Sequence, residues 1–142
     1  MTARSAYVVI DTNILFSALL VPSSKFAATI LNETEYTFIV GETVIIELFE
    51  HKERIVKISK LSSEDVITAY HALLRHLTIY KENLISAANW QEAINLCQDV
   101  DADDTAHVAL TLETKGLLWT SDRRLKTGLQ AKGFTHFFTP GM

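Results

Sequence analysis

Four acidic side chains stand where a fold could bring carboxylates together. Asp11 ends an apolar, β-branched run, Tyr-Val-Val-Ile at 7–10, with the character of a fully buried strand. Asp122 follows a second such run at 117–120, separated from it only by Ser121. Asp104 opens the helix-patterned stretch before that second run. Glu47 lies about one turn into a helix-patterned stretch that follows another strand candidate at 36–40. In open α/β sheets ligands gather beyond the carboxyl ends of the strands. If the runs at 7–10 and 117–120 are parallel neighbours, Asp11, Asp104 and Asp122 converge on one sheet edge, and Glu47 can point back to it. Hard oxygen donors in this number suit Mg2+ or Mn2+. Crowded without cations, four carboxylates repel and some stay protonated. One or two divalent ions remove that conflict, activate water and neutralise the charge that develops on a phosphodiester under attack.

Taken one at a time, these acids have plainer explanations. Asp11 and Asp122 suit helix caps as well as ligands. Asp103 and Asp104 both favour a helix start through its dipole. Glu47 alone reads as a solvated helix residue. The combination is what points to chemistry.

The elements that must position these acids are legible along the chain. After the strand at 7–10, helix-compatible spacing runs over 14–20 and closes at Val21-Pro22-Ser23-Ser24, where a serine can cap a second helix over 26–31. The strand at 36–40 stops at Gly41. One helix is expected from 42 to 58, with Val44, Ile45, Leu48 and Phe49 facing one way. Ser62-Ser63-Glu64-Asp65 opens another helix to about 76, with Asp65 placed like the acid of a capping box. A strand follows at 77–80. Asn89 is the expected cap of a helix carrying Ala93, Ile94 and Leu96. The acidic stretch 99–104 leads into a helix burying Val108, Ala109 and Leu112 and ended by Gly116. After Asp122 come a short helix over 123–130 and a final edge-strand candidate at 134–138. Strands alternating with helices at this spacing predict a single α/β domain over 1–142, its mostly parallel central β-sheet covered by α-helices on both faces.

Composition narrows the function classes. The 142 residues carry 17 acidic and 13 basic side chains, a formal net charge of -4. That balance argues against a protein that grips nucleic acid by positive charge alone, and leaves room for an enzyme that reaches phosphates through bound cations. The hydrophobic share of 48% excludes an extended disordered chain. The longest apolar stretch, 14–21, is interrupted by Ser17 and falls short of the ~20 residues of a membrane helix. No separate leader is expected, because the first five residues run straight into a strand-like segment. Cys97, the single cysteine, excludes an intramolecular disulfide and a Cys-rich zinc site, so the cytoplasm is the simplest compartment.

Four segments in order carry a resemblance: V-V-I-D-T-N-I-L-F-S-A-L at 8–19, V-I-I-E-L at 44–48, D-A-D-D-T-A-H-V-A-L at 101–110 and L-W-T-S-D-R-R-L at 118–125. Over nearly its whole length the chain resembles the PIN-domain family of metal-dependent ribonucleases, many of which are toxins of bacterial toxin–antitoxin pairs. The resemblance implies that Asp11, Glu47, Asp104 and Asp122 form the catalytic, metal-holding cluster, with Asp101 an additional acid in the acidic turn. Asp104 is preferred to Asp103 on its spacing to the helix and to Asp122. Asn13 and Ser121 are the implied polar neighbours that orient Asp11 and Asp122. The implied cofactor is Mg2+ or Mn2+, and the implied reaction is hydrolysis of RNA to 5′-phosphate and 3′-hydroxyl products. Implied partners are an RNA substrate, a cognate antitoxin with a basic segment, and a second copy of the chain packed on apolar surface of the first helices.

Other features carry less. His51, His71, His76, His107 and His136 show no zinc-ligand spacing, and His107, near the acidic turn, reads as a helix-surface or partly packed residue, with contact to substrate the alternative. Arg123 and Arg124 suit either phosphate contact at the mouth of the site or a solvated helix start. The basic stretch Lys52, Arg54, Lys57 and Lys60 reads as a solvated face near enough to Glu47 to guide RNA. Trp90, Trp119 and the aromatics at 134–138 read as core or interface. Two other classes fit these residues less well. A silent PIN-like module that binds RNA or protein has no reason to keep four mutually repelling carboxylates. A phosphoacceptor signalling domain needs a lysine after a later strand, and no convincing equivalent is present.

Overall fold

Among the described residues four short apolar runs, rich in β-branched and aromatic side chains, form the sheet: β1 (Ala6–Ile10), β2 (Tyr36–Gly41), β3 (Leu77–Tyr80) and β4 (Leu117–Trp119). The computed structural model describes residues 6–140. The strand order is β3-β2-β1-β4, with every pair parallel. Winding from β1 through β2 to β3 proceeds in one direction, and the chain then returns to place β4 on the far side of β1. The order therefore reverses between β1 and β4, beneath Asp11 and Asp122. This is the crevice in which α/β sheets bind ligands.

Side-chain alternation along the strands divides the core in two, as a doubly covered sheet requires. Val8, Ile10, Phe38, Val40 and Trp119 pack on one face against α1 (Thr12–Leu20), α2 (Lys25–Asn32), α3 (Glu42–Glu50), α4 (Lys52–Ser59) and α5 (Ser63–Leu74). Val9, Ile39 and Leu118 pack on the other against α6 (Ala87–Cys97), α7 (Thr105–Thr114) and α8 (Arg123–Ala131). Each of these fully buried aliphatic side chains stabilises the fold by roughly 1.5–3 kcal/mol relative to exposure. Among the described residues no single helix is long and apolar enough to cross a membrane. The apolar residues Ile14, Leu15, Ala18 and Leu19 of α1 are buried in the domain.

Several local expectations are corrected. The helix expected over 42–58 breaks at His51 into α3 and α4. The break lets Ile55 turn into the same core as Val44 and Leu48, while the Tyr70 hydroxyl donates to the Leu48 carbonyl beside it. Phe49 does not join that core: it is 58% exposed and stacks on Tyr70 with ring centroids 5.4 Å apart. The cap of α6 is Ser86, whose Oγ accepts from the Asn89 N–H at 3.2 Å, and Ile94 is exposed. Asn89 instead donates from its side chain to Glu113 at 2.9 Å.

The segment 134–138 is no edge strand. It meets β4 at one bridge, Leu118 to Phe137, because Phe134 is buried in one core and Phe138 in the other, so the chain crosses the β4 edge rather than running along it. Of the first helices, α2 exposes Leu31 and α1 ends at exposed Val21, while further large exposed apolar side chains are Ile46 and Phe49 on α3, Ile58 on α4 and Ile67 on α5.

Gly116 was expected to end α7 by its conformational freedom, but Lys115 takes the left-handed position, with φ 54°. Gly116 is needed for a different reason. A Cβ there would sit 2.4 Å from the Tyr7 carbonyl oxygen, where α7 hands the chain to β4 beside β1. A backbone atom cannot move aside as a flexible side chain can. Gly116→Ala is therefore expected to destabilise the protein by about 1–3 kcal/mol, measured as a lower urea midpoint at unchanged m. An unchanged midpoint would show that β4 can shift away freely.

Candidate active site

Asp11 stands at the end of β1 and at the start of α1, and the two positions use its carboxylate together. It is 4% exposed, its backbone N–H still continues the β1–β4 ladder to the Trp119 carbonyl at 3.0 Å, and its Oδ1 accepts from the Asn13 backbone N–H at 3.1 Å. Asp122 caps α8 in the same way, with Oδ1 accepting from the Leu125 N–H at 3.1 Å. Each carboxylate oxygen carries more than one lone pair, so capping leaves acceptor capacity for a ligand.

One hydroxyl ties these two acids together. Thr120 is 6% exposed; its Oγ1 donates to Asp11 Oδ2 at 2.9 Å and accepts from the Asp122 N–H at 3.1 Å. Ser121, expected to orient Asp122, is exposed, and the hydroxyl in contact is that of Thr120. Asn13 likewise holds Asp11 through its backbone N–H, while the residue itself is exposed. A hydroxyl directly after an apolar strand run was the available signal for Thr120.

Asp104 joins the cluster from the third side. It ends a 3-10 turn, Ala102–Asp104, and begins α7. Ligand atoms of Asp11, Asp104 and His107 lie within 4.8 Å of one another, as do those of Asp101, Asp104 and Asp122. Asp104 belongs to both groups. Burial first, then the negative charge of Asp11, pushes its carboxyl up from 3.8 to about 7, with Asp101 and Asp122 adding to the effect. Asp103 points elsewhere, lining a groove, while its backbone N–H donates to Asp101 Oδ1 at 3.0 Å.

His107, a surface or partly packed residue by sequence, closes the cluster. Its Nε2 lies 3.8 Å from Asp11 Oδ1 and 3.4 Å from the Thr12 hydroxyl. It stands three residues after Asp104 on α7, a spacing that puts both on one helix face, and this was the signal for it. From His107 a groove of about 370 Å³ opens outward, and Glu47 lines it together with Trp90 and Asp103. Glu47 is thus beside the cluster rather than among the acids gathered within 4.8 Å. Arg123 begins α8, exposed, and lines a separate shallow groove with Arg124 and Asp99.

A family model described as PIN domain matches residues 9–137. The chain belongs to the PIN-domain family. A search of curated proteins finds no match. PIN domains are generally metal-dependent nucleases, and this PIN domain has a donor set to suit: the acids are hard oxygen ligands, and Asp104 ionises with difficulty until positive charge arrives.

The unfolded chain ionises Asp104 in the ordinary aspartate range, the folded PIN domain only near pH 7. Between those values the folded state holds the extra proton, so this group makes stability fall as pH rises through the window. In metal-free protein, Asp104→Asn is therefore expected to raise Tm relative to wild type by roughly 2–6 °C at pH 8, with little difference at pH 4. Mg2+ or Mn2+ should raise the wild-type Tm at pH 8 and leave that of the variant nearly unmoved. Thermal scans across pH check both; a pH-independent difference between the proteins would contradict the crowding.

Thr120→Val keeps the side-chain volume and removes the shared hydroxyl. It is expected to lower kcat on the protein's substrate about 10- to 100-fold with KM within a few fold. Equal kcat in steady-state assays would show that the caps alone hold the two acids.

Proposed function

We propose that the chain works as one nuclease domain over 1–142, an endoribonuclease dependent on Mg2+ or Mn2+. The observation that carries this is the sharing of Asp104 between Asp11 on one side and Asp101 and Asp122 on the other, at the crevice where the strand order reverses. Asp11, Asp104 and Asp122 would hold the cation, with Asp101 assisting and Glu47 acting from the groove side. When bound, the cation activates water and neutralises charge developing on the phosphodiester. Thr120 keeps Asp11 and Asp122 in register, and the start of α1, through the Asn13 N–H, holds Asp11 against the repulsion of its neighbours. His107 shares a hydrogen bond with the Thr12 hydroxyl through Nε2 and stands 3.8 Å from Asp11 Oδ1, where it limits how far that carboxylate can turn. Ser121 and Arg123, exposed on either side of Asp122 in the chain, would meet the phosphate, Arg123 by reaching out of its separate shallow groove, and the leaving 3′ oxygen takes its proton from solvent. Products are a 5′-phosphate and a 3′-hydroxyl.

The same reading extends to biology. We take the protein to act in the cytoplasm as the toxin of a toxin–antitoxin pair. The acidic residues of the groove favour an antitoxin with a basic segment. The exposed Ile46, Phe49 and Ile67 favour a homodimer.

Cleavage of a mixed single-stranded RNA in EDTA, Mg2+ or Mn2+ tests the activity, with wild type beside Asp11→Asn. Metal-dependent cutting that falls by about 100-fold or more in the variant is expected. Cutting equal in both proteins, or undiminished in EDTA, would overturn the assignment.

A further inference from the structure

Beside the acid cluster the groove has its own chemistry. Trp90 on α6 packs its inner side against the core of α6, α7 and α8 and lines the groove, whereas Trp119 is 3% exposed. Val44 and Ala106 add apolar wall. At about 370 Å³ the groove lies near the small end of the ~300–1,000 Å³ typical of small-molecule sites, room for one nucleotide and not for a duplex. His107 belongs both to this groove and to the acid cluster, so a chain whose phosphate sits at the acids has its neighbouring base within reach of Trp90.

The polar rim decides which part of a nucleotide belongs there. Ionised, Glu47 and Asp103 can only accept hydrogen bonds, and they repel phosphate. Glu82 is already occupied: its carboxylate accepts from the Thr43 N–H and hydroxyl at the start of α3, which makes it a fixed wall. Asn83 supplies the one amide among these polar residues. A neutral ring edge with an amino group offers two hydrogens to such acceptors, as cytosine, adenine and guanine do, whereas uracil offers a single N3–H between two repelled carbonyl oxygens.

We infer that this groove is a nucleobase subsite for single-stranded RNA, in which a base stacks on Trp90 and is selected for an exocyclic amino group by Asp103 and Glu47. The inference rests on the nuclease reading for its substrate class, and the two can fail separately.

Titration of the full chain in EDTA with AMP, CMP, GMP and UMP, followed by tryptophan emission, tests it. The three amino-bearing nucleotides should quench saturably, with UMP weaker by at least about 5-fold. Asp103→Asn should narrow that difference. Trp90→Phe should abolish the emission change, while Trp90→Ala should raise KM for single-stranded RNA by about 5- to 150-fold. An emission change that survives in Trp90→Phe, or UMP binding equal to the others, overturns the subsite. So does quenching by N-acetylarginine amide without quenching by any nucleotide, which would assign the groove to a basic protein partner. RNA cleavage with KM unchanged in Trp90→Ala overturns the subsite and leaves the nuclease reading standing. Saturable, base-selective quenching in a protein that cuts no RNA with Mg2+ or Mn2+ supports the subsite and overturns the nuclease reading.

Discussion

Like charges at close range are the condition around which this fold is arranged. Asp104 faces Asp11, Asp101 and Asp122, and the combination of burial and negative neighbours holds its carboxyl protonated up to about pH 7. Left to themselves these side chains would swing apart into water. Three of them stay because hydrogen bonds tie them to backbone: Asp11 to the start of α1, Asp122 to the start of α8, and Asp101 to the turn that carries Asp104. The repulsion is stored by the fold, and a divalent cation is the species that relieves it.

Those ties also resolve the choice between capping residue and ligand. Asp11 and Asp122 are both helix caps, and capping is how the chain aims them. The positive ends of α1, α7 and α8 converge on the same crevice and offset part of the crowded negative charge. Thr120 then couples two of the caps through one buried hydroxyl, so Asp11 and Asp122 cannot move independently.

Glu47 and its groove depend on a different device. Helix α3 begins at Gly41 with no side-chain cap of its own. Glu82 reaches across from the turn after β3 to accept from the Thr43 N–H, and the absence of a Cβ at Gly41 leaves room for its carboxylate. At its other end, α3 stops near Leu48, whose carbonyl accepts from the Tyr70 hydroxyl. The wall that carries Glu47 is therefore held at both ends by residues far away in the chain.

The sequence alone was enough for the α/β class, the four strands of the parallel sheet, and the convergence of Asp11, Asp104 and Asp122. Those features rest on local matters: β-branched runs that must be buried, helical spacing, and acids directly after strands. What escaped it depended on contacts between distant segments. Thr120 is a partner of Asp11 only because β4 lies beside β1, and His107 reaches the cluster only because α7 crosses the sheet there. The break at His51, the crossing of 134–138 between two cores and the tight approach of Gly116 to Tyr7 are decided in the same way. A residue's neighbours along the chain set its local geometry, whereas the partner of a hydroxyl or a ring is chosen by packing, which no local pattern encodes.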